Sequence, residues 1–250
     1  MKPILLNLPW IYLYSYPLLI GMAWMSAYYI IDEKIRSKKS FNLLFWGIFG
    51  FSWIGAKIFY LIHSGGDAKF ELAQEFSFWL GGGFVFYGGF LAAGSFALIF
   101  CLLTKTWQID DLKEFIPGLI LGHAIGRVGC FMAGCCFGIK TDSLLNVFLH
   151  QAHRHPVQLY EAFGLSCLYF LYRKYPRFEV YLAGYGILRF SLEFIRGDLS
   201  RGFIGFFSQS QWIALALITL AIAKGIYDAK YKKNRLFNAF SNRSRDGHSR

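Results

Sequence analysis

The sequence predicts an all-α integral membrane protein of about seven transmembrane helices, with its N-terminus outside and its C-terminus cytoplasmic. Three observations carry that reading. Of 250 residues, 55% are hydrophobic and only 16% charged, against about 25% charged in a typical soluble domain. Apolar runs near the spanning length of about 20 residues recur down the chain. Loops rich in Lys and Arg alternate with loops poor in them, and cytoplasmic loops carry the excess of basic residues.

The runs cover residues 9–31, 41–63, 81–104, 112–130, 157–173, 180–196 and 207–227. The first follows "MKPILLNL" and is too long and too aromatic for a signal peptide. No small-x-small cleavage site precedes the charged "DEKIRSKK", so it reads as a retained span. The basic connections are 32–40, 105–114, 173–179 and the tail from Lys224; those at 64–80, 131–156 and 197–206 are poor in basic residues. The net charge of +11 is therefore an orientation signal with some attraction to anionic lipid, not a nucleic-acid surface. Residues 1–227 read as a single multi-pass membrane domain, and 228–250 as a basic, loosely ordered cytoplasmic tail.

Charge inside the spans needs its own explanation, because a charged side chain at the bilayer centre costs about 2.5–3.5 kcal/mol on insertion scales. "LRFSLEFIRGD" places Arg189, Glu193 and Arg196 at i, i+4 and i+7, which form one stripe on a 3.6-residue helix. The spans also hold Lys57, Arg127 and Glu161, so four cations face two carboxylates. A polar staple between helices is one reading. A cavity that takes an anion is the other. The planar fork of arginine suits phosphate, and in a membrane the nearest phosphate is a lipid headgroup.

The remaining polar features surround that stripe. "LGGGFVFYGGFLAAG" and "GHAIGRVGCFMAGCCFG" are rich in small residues, which admit close helix packing or the approach of backbone N–H groups to an anion. In "HRHPVQLYEA", Pro156 fits a helix start, Gln158 and Glu161 share a face, and Tyr160 flanks them. His155 is open to roles as a base, a metal ligand or a headgroup donor. Cys130, Cys135 and Cys136, with His123, lack the spacing of paired zinc knuckles. Adjacent cysteines rarely both reach one metal. No metal and no cofactor is expected, and soft packing residues are favoured over a disulfide. Cys101 and Cys167 lie within apolar runs as packing residues.

In chain order, Tyr16 in "LYSYPLL", "GAKIFY", "GGGFVFYGG", "GRVGCFMAGCCFG", "HPVQLYEA", "RFSLEFIRGD" and "SQSQW" together resemble the bacterial prolipoprotein diacylglyceryl transferases, from about residue 10 to about 225. The resemblance implies a seven-helix enzyme of the bacterial cytoplasmic (inner) membrane whose active site faces the outer leaflet. Such an enzyme moves the diacylglyceryl group of phosphatidylglycerol onto the thiol of the lipobox cysteine of a prolipoprotein signal peptide, releasing glycerol phosphate. Its partners are membrane lipids and these precursors, and not nucleic acid.

Carried over by position, Arg127 and Arg189 would hold the departing phosphate, Glu193 would orient an arginine, and Arg196 would complete the stripe. Gly126 and Gly138 would shape the loop. Tyr16, Gln158, Tyr160 and Glu161 would line the site, with Lys57 and His155 also directed at phosphatidylglycerol. Two positions depart from many members of the family: Tyr87 stands for a histidine, and Cys130 for an asparagine. The base is therefore open between Tyr87, His155, Glu161 and no dedicated group. An arginine-lined transporter or flippase, a transferase for another lipid or acceptor, and a non-catalytic scaffold are the alternatives.

Overall fold

A computed structural model describes residues 4–8, 11–63, 74, 78–79, 84–104, 106–197 and 202–246. Gly81, Gly82 and Gly83 of the glycine run, Asp198, and most of the 64–80 connection lie outside the described residues. Eight α-helices are found among them. They are α1 (Ser15–Ile30), α2 (Glu33–Arg36), α3 (Phe41–His63), α4 (Phe86–Thr104), α5 (Ile116–Ala133), α6 (Val157–Lys174), α7 (Phe178–Glu193) and α8 (Gln209–Asp246). Among the described residues, four stretches are long and apolar enough to cross a membrane, namely Phe41–Ile62, Tyr87–Thr104, Asp110–Ala133 and Gln209–Tyr231.

What these helices expose agrees with their composition. Leu103 is 76% exposed, Phe163 72% and Phe170 71%. Each is a large apolar side chain on a helix surface, where contact with water would be unfavourable at about 25 cal/mol per Å². Contact with lipid tails removes that cost. The chain is therefore an integral membrane protein.

The chain divides into two compact units, residues 1–136 and 137–250. In the first, α3 packs on α4 and α1 packs on α5. Glycines permit the α3–α4 approach: an added Cβ on Gly55 would meet Gly88 O at 2.5 Å, and one on Gly88 would meet Gly55 O. Around the basic end, Ile31, Phe41, Leu44, Phe45, Ala97, Phe100, Cys101 and Trp107 form a buried apolar cluster. Trp107 Nε1 donates to Lys39 O at 3.0 Å, and Lys38 pairs with Asp111 at 2.7 Å. In the second unit, α7 packs on both α6 and α8.

The helical reading needs four corrections. Residues Ile11–Tyr14, within the first apolar run, are not helical. Ile4–Leu8 (β1) and Ile11–Tyr14 (β2) form an antiparallel hairpin, and α1 begins only at Ser15. A segment rich in leucine, isoleucine and tyrosine carries β-propensity as readily as an apolar helical signal. Second, residues Ile109–Phe115 form a 3₁₀ turn, and the following helix begins at Ile116, with Pro117 in its first turn, where proline's missing N–H costs nothing.

Third, α7 ends at Glu193, so the stripe does not continue on the helix to Arg196. Fourth, the polar tail, expected to be loosely ordered, carries the frame of α8 on to Asp246. Lysine, arginine, alanine and leucine there are good helix formers. Two further hairpins punctuate the second unit, β3 (Val147–Leu149) with β4 (Ala152–Arg154) and β5 (Phe203–Ile204) with β6 (Phe207–Ser208).

Candidate active site

In the second unit, the charged side chains converge on Glu193. Arg189 Nη2 forms an ion pair with Glu193 Oε2 at 2.8 Å, one helical turn away, while Arg196 Nη1 lies 3.5 Å from the same oxygen. Glu161, from the first turns of α6, places Oε2 3.5 Å from Arg189 Nη1. Arg189 is only 7% exposed, and Glu161 and Glu193 are buried. Two guanidiniums thus meet two carboxylates. The cation surplus counted over all the spans does not hold in this cluster, because Glu161 arrives from a separate helix. Among the described residues, Arg189 Nη1 makes an ion pair with Glu161 but no hydrogen bond.

The start of α8 completes the cluster, and sequence reasoning assigned it no roles. Ser208 Oγ donates to Glu193 Oε1 at 2.8 Å and accepts from Gln211 N at 3.2 Å; Gln211 Oε1 accepts from Ser208 N at 3.0 Å. This is a capping box, and its signal, Ser-x-x-Gln before an apolar run, is present in "SQSQW". Arg189 Nη2 also donates to Ser210 Oγ at 3.0 Å. The positive end of the helix dipole therefore stands beside Glu193.

Arg196 sits beyond α7 on a laced backbone. Gly138 forms an isolated antiparallel bridge with Arg196. Gly138 N donates to His155 O at 3.0 Å, Ile139 N to Ile195 O at 2.9 Å, and Gly197 N to Phe137 O at 2.9 Å. A Cβ on Gly138 would lie 2.5 Å from His155 O and 2.8 Å from Val157 Cγ2. Glycine is therefore required by close approach. His155 Nδ1 is 3.2 Å from Tyr160 Oη, which donates to Leu145 O at 3.4 Å. Gln158 is buried in the first turn of α6.

In the first unit, Arg127 is half-buried near the C-terminal end of α5. Tyr16, at the start of α1, lies over Gly129, where an added Cβ would come within 3.1 Å of its ring. Arg127 interacts electrostatically with Tyr16 and with Cys130. Gly126 is less constrained, since its nearest neighbour would be Ile20 Cδ1 at 3.7 Å. Lys57 is 0% exposed; its ammonium donates to Phe78 O at 2.5 Å and lies 4.4 and 4.0 Å from the Phe78 and Phe84 ring centroids. These contacts tie the Lys57 ammonium to Phe78 and Phe84. Tyr87 is exposed in the first turn of α4.

The cysteines behave differently from the reading of their spacing. Gly134 caps α5 with φ 76°, and Cys136 follows with φ 56°. Two left-handed residues in three turn the chain back on the helix end, with Cys135 N donating to Cys130 O at 3.2 Å. The sulfurs of Cys130, Cys135 and Cys136 consequently all lie within 4.8 Å of one another. Adjacent cysteines do reach one point here. None of the three is in a disulfide.

A family model described as prolipoprotein diacylglyceryl transferase matches residues 3–227. The chain belongs to the prolipoprotein diacylglyceryl transferase family. It is 32% identical over 250 residues to the phosphatidylglycerol–prolipoprotein diacylglyceryl transferase of Clostridium tetani, covering 89% of this chain and 96% of that protein. The protein of the same name in Chlorobaculum tepidum is 34% identical over 246 residues, covering 86% and 82%. A Clostridium perfringens protein, phosphatidylglycerol–prolipoprotein diacylglyceryl transferase 2, is 28% identical over 227 residues, covering 82% and 87%. The sequence blocks that suggested a transferase thus lie within a family match that spans nearly the whole chain.

Proposed function

We propose that this chain transfers the diacylglyceryl group of phosphatidylglycerol to the thiol of a prolipoprotein lipobox cysteine and releases glycerol phosphate. The single observation that supports this most is the coincidence of family blocks with polar centres in lipid-facing helices. The Gly-Arg block holds Arg127 half-buried, and the Arg-x3-Glu-x2-Arg block folds into a buried ion cluster. Seven spans, an outside N-terminus, a cytoplasmic C-terminus and a site open to the outer leaflet of the bacterial inner membrane complete the reading, with residues 1–227 as the catalytic domain.

The chemistry follows from the bond that breaks. Cleavage of the carbon–oxygen bond moves an electron pair onto the phosphate, so negative charge grows on its oxygens. A preplaced donor at such a position contributes about 2.7–4 kcal/mol. Arg127 is the first candidate. Arg189 contributes through its guanidinium, whose orientation Glu193, Ser210 and Glu161 fix. Gln158, Tyr160 and His155 line the lipid site, Arg196 and Gly138 set its backbone, and Tyr16 packs beside Arg127. The test is purified protein with phosphatidylglycerol labelled in its diacylglyceryl group and a lipobox peptide. Label bound covalently to the peptide, with glycerol phosphate released, supports the reading. Label moved between leaflets without covalent attachment would overturn it in favour of a flippase.

A further inference from the structure

Thiol alkylation needs an acceptor sulfur in its thiolate form, because the thiol itself is a poor nucleophile. In this chain the family histidine is replaced by Tyr87, so the group that activates the acceptor is open. Three sulfurs converge at the C-terminal end of α5, Cys130 one turn after Arg127, at a spacing that suits a soft cation. Tetrahedral coordination at about 2.3 Å places sulfur ligands about 3.8 Å apart, and those of Cys130, Cys135 and Cys136 already sit within 4.8 Å of one another.

The backbone is built for this convergence. Cys136 has φ 56°, a conformation costly for a residue with a Cβ, and Gly134 supplies the left-handed cap before it. Cys130 and Cys136 are half-buried while Cys135 is exposed, so one side of the triad is accessible. Among the described residues, the group contains no imidazole or carboxylate. Structural zinc sites have four protein ligands, whereas catalytic ones have three and an open position. Three thiolates select soft d10 cations, of which zinc is the divalent case.

We infer that Cys130, Cys135 and Cys136 bind a zinc-class divalent cation whose open fourth position takes the acceptor cysteine of the precursor as thiolate. The inference rests on the transferase reading for the identity of that thiol. On coordination the acceptor S–H loses its proton to water, since a coordinating thiol is deprotonated outright. Its sulfur then attacks the glycerol carbon of the lipid, a C–S bond forms, and the C–O bond breaks with its electron pair leaving on glycerol phosphate. No oxidant or reductant is consumed. A divalent cation with four thiolates carries net charge −2, and Arg127, one turn before Cys130 and electrostatically coupled to it, offsets part of that charge.

The experiment uses the full chain purified in detergent under reducing conditions, stripped with a chelator and reloaded with Zn(II) or Co(II). One equivalent should bind, and Co(II) should show sulfur-to-metal charge-transfer absorption. That spectrum should change on adding a lipobox peptide with cysteine but not the serine version. Transfer should fall about 100-fold or more on stripping, on the order of what a positioned proton-transfer group contributes, and return with Zn(II). Cys135→Ser should lose the equivalent of metal. Absence of stoichiometric binding, retention of the metal by Cys135→Ser, a cobalt spectrum indifferent to the cysteine peptide, or a disulfide among these cysteines in active protein would each overturn the inference. Full transfer by stripped protein sinks the metal site and leaves the transferase reading intact. A peptide-responsive cobalt spectrum with no transfer under any loading does the reverse.

Discussion

Replacing Glu193 with glutamine would leave Arg189 and Arg196 with Glu161 as the one carboxylate described in their cluster. Breaking a buried ion pair from one side costs about 3–5 kcal/mol, because a desolvated charge loses its compensation. Glu193→Gln is therefore expected to lower the thermal unfolding midpoint in detergent sharply, as well as to impair transfer. Arg127→Ala should separate these effects. Arg127 is half-buried, so its loss should reduce transfer about 10²–10³-fold with a smaller change in the midpoint; near-normal turnover would remove it from the phosphate. The arginines and Glu193 were legible in the sequence because charge in an apolar run is costly and demands a reason. Glu161's pairing with Arg189 was not, since it joins residues 28 positions apart, and periodicity reports only neighbours along one helix. Ser208 had no charge to draw notice.

At the scale of the element, most helix positions followed from the apolar runs, and α3 covers 41–63 as expected. The errors fell at ends, where capping and hairpin geometry compete with hydrophobic patterning. Glycines in a row also look alike in sequence and differ in space. Gly88→Ala would drive a methyl into Gly55 O and to 2.5 Å from Phe59 Cβ, so it should destabilise the α3–α4 pair by about 1–3 kcal/mol. Gly126→Ala meets its nearest atom at 3.7 Å and should be neutral or mildly stabilising, since alanine favours a helix by about 1 kcal/mol over glycine. Unfolding midpoints of the two variants, measured side by side, check the ordering.

For the whole molecule, hydropathy spoke for membrane insertion and the alternation of basic loops for orientation. The division at residues 136 and 137 had no such signal, because it depends on which helices pair and not on composition. The tail contains Lys232, Lys233, Arg235, Arg243, Arg245 and Arg250. A chain ending at Tyr231 should transfer label at the full-length rate while binding anionic vesicles more weakly, at about 1 kcal/mol per basic residue near the surface. Loss of transfer on that truncation would give the tail a part in turnover.

Ser208 serves two masters with one oxygen: it accepts from the Gln211 amide and gives its proton to Glu193. Fraying at the start of α8 and loosening of the carboxylate are consequently a single event. Deuterium uptake at the Gln211 amide would accelerate whenever Glu193 is disturbed, and Ser208→Ala would unlatch both together.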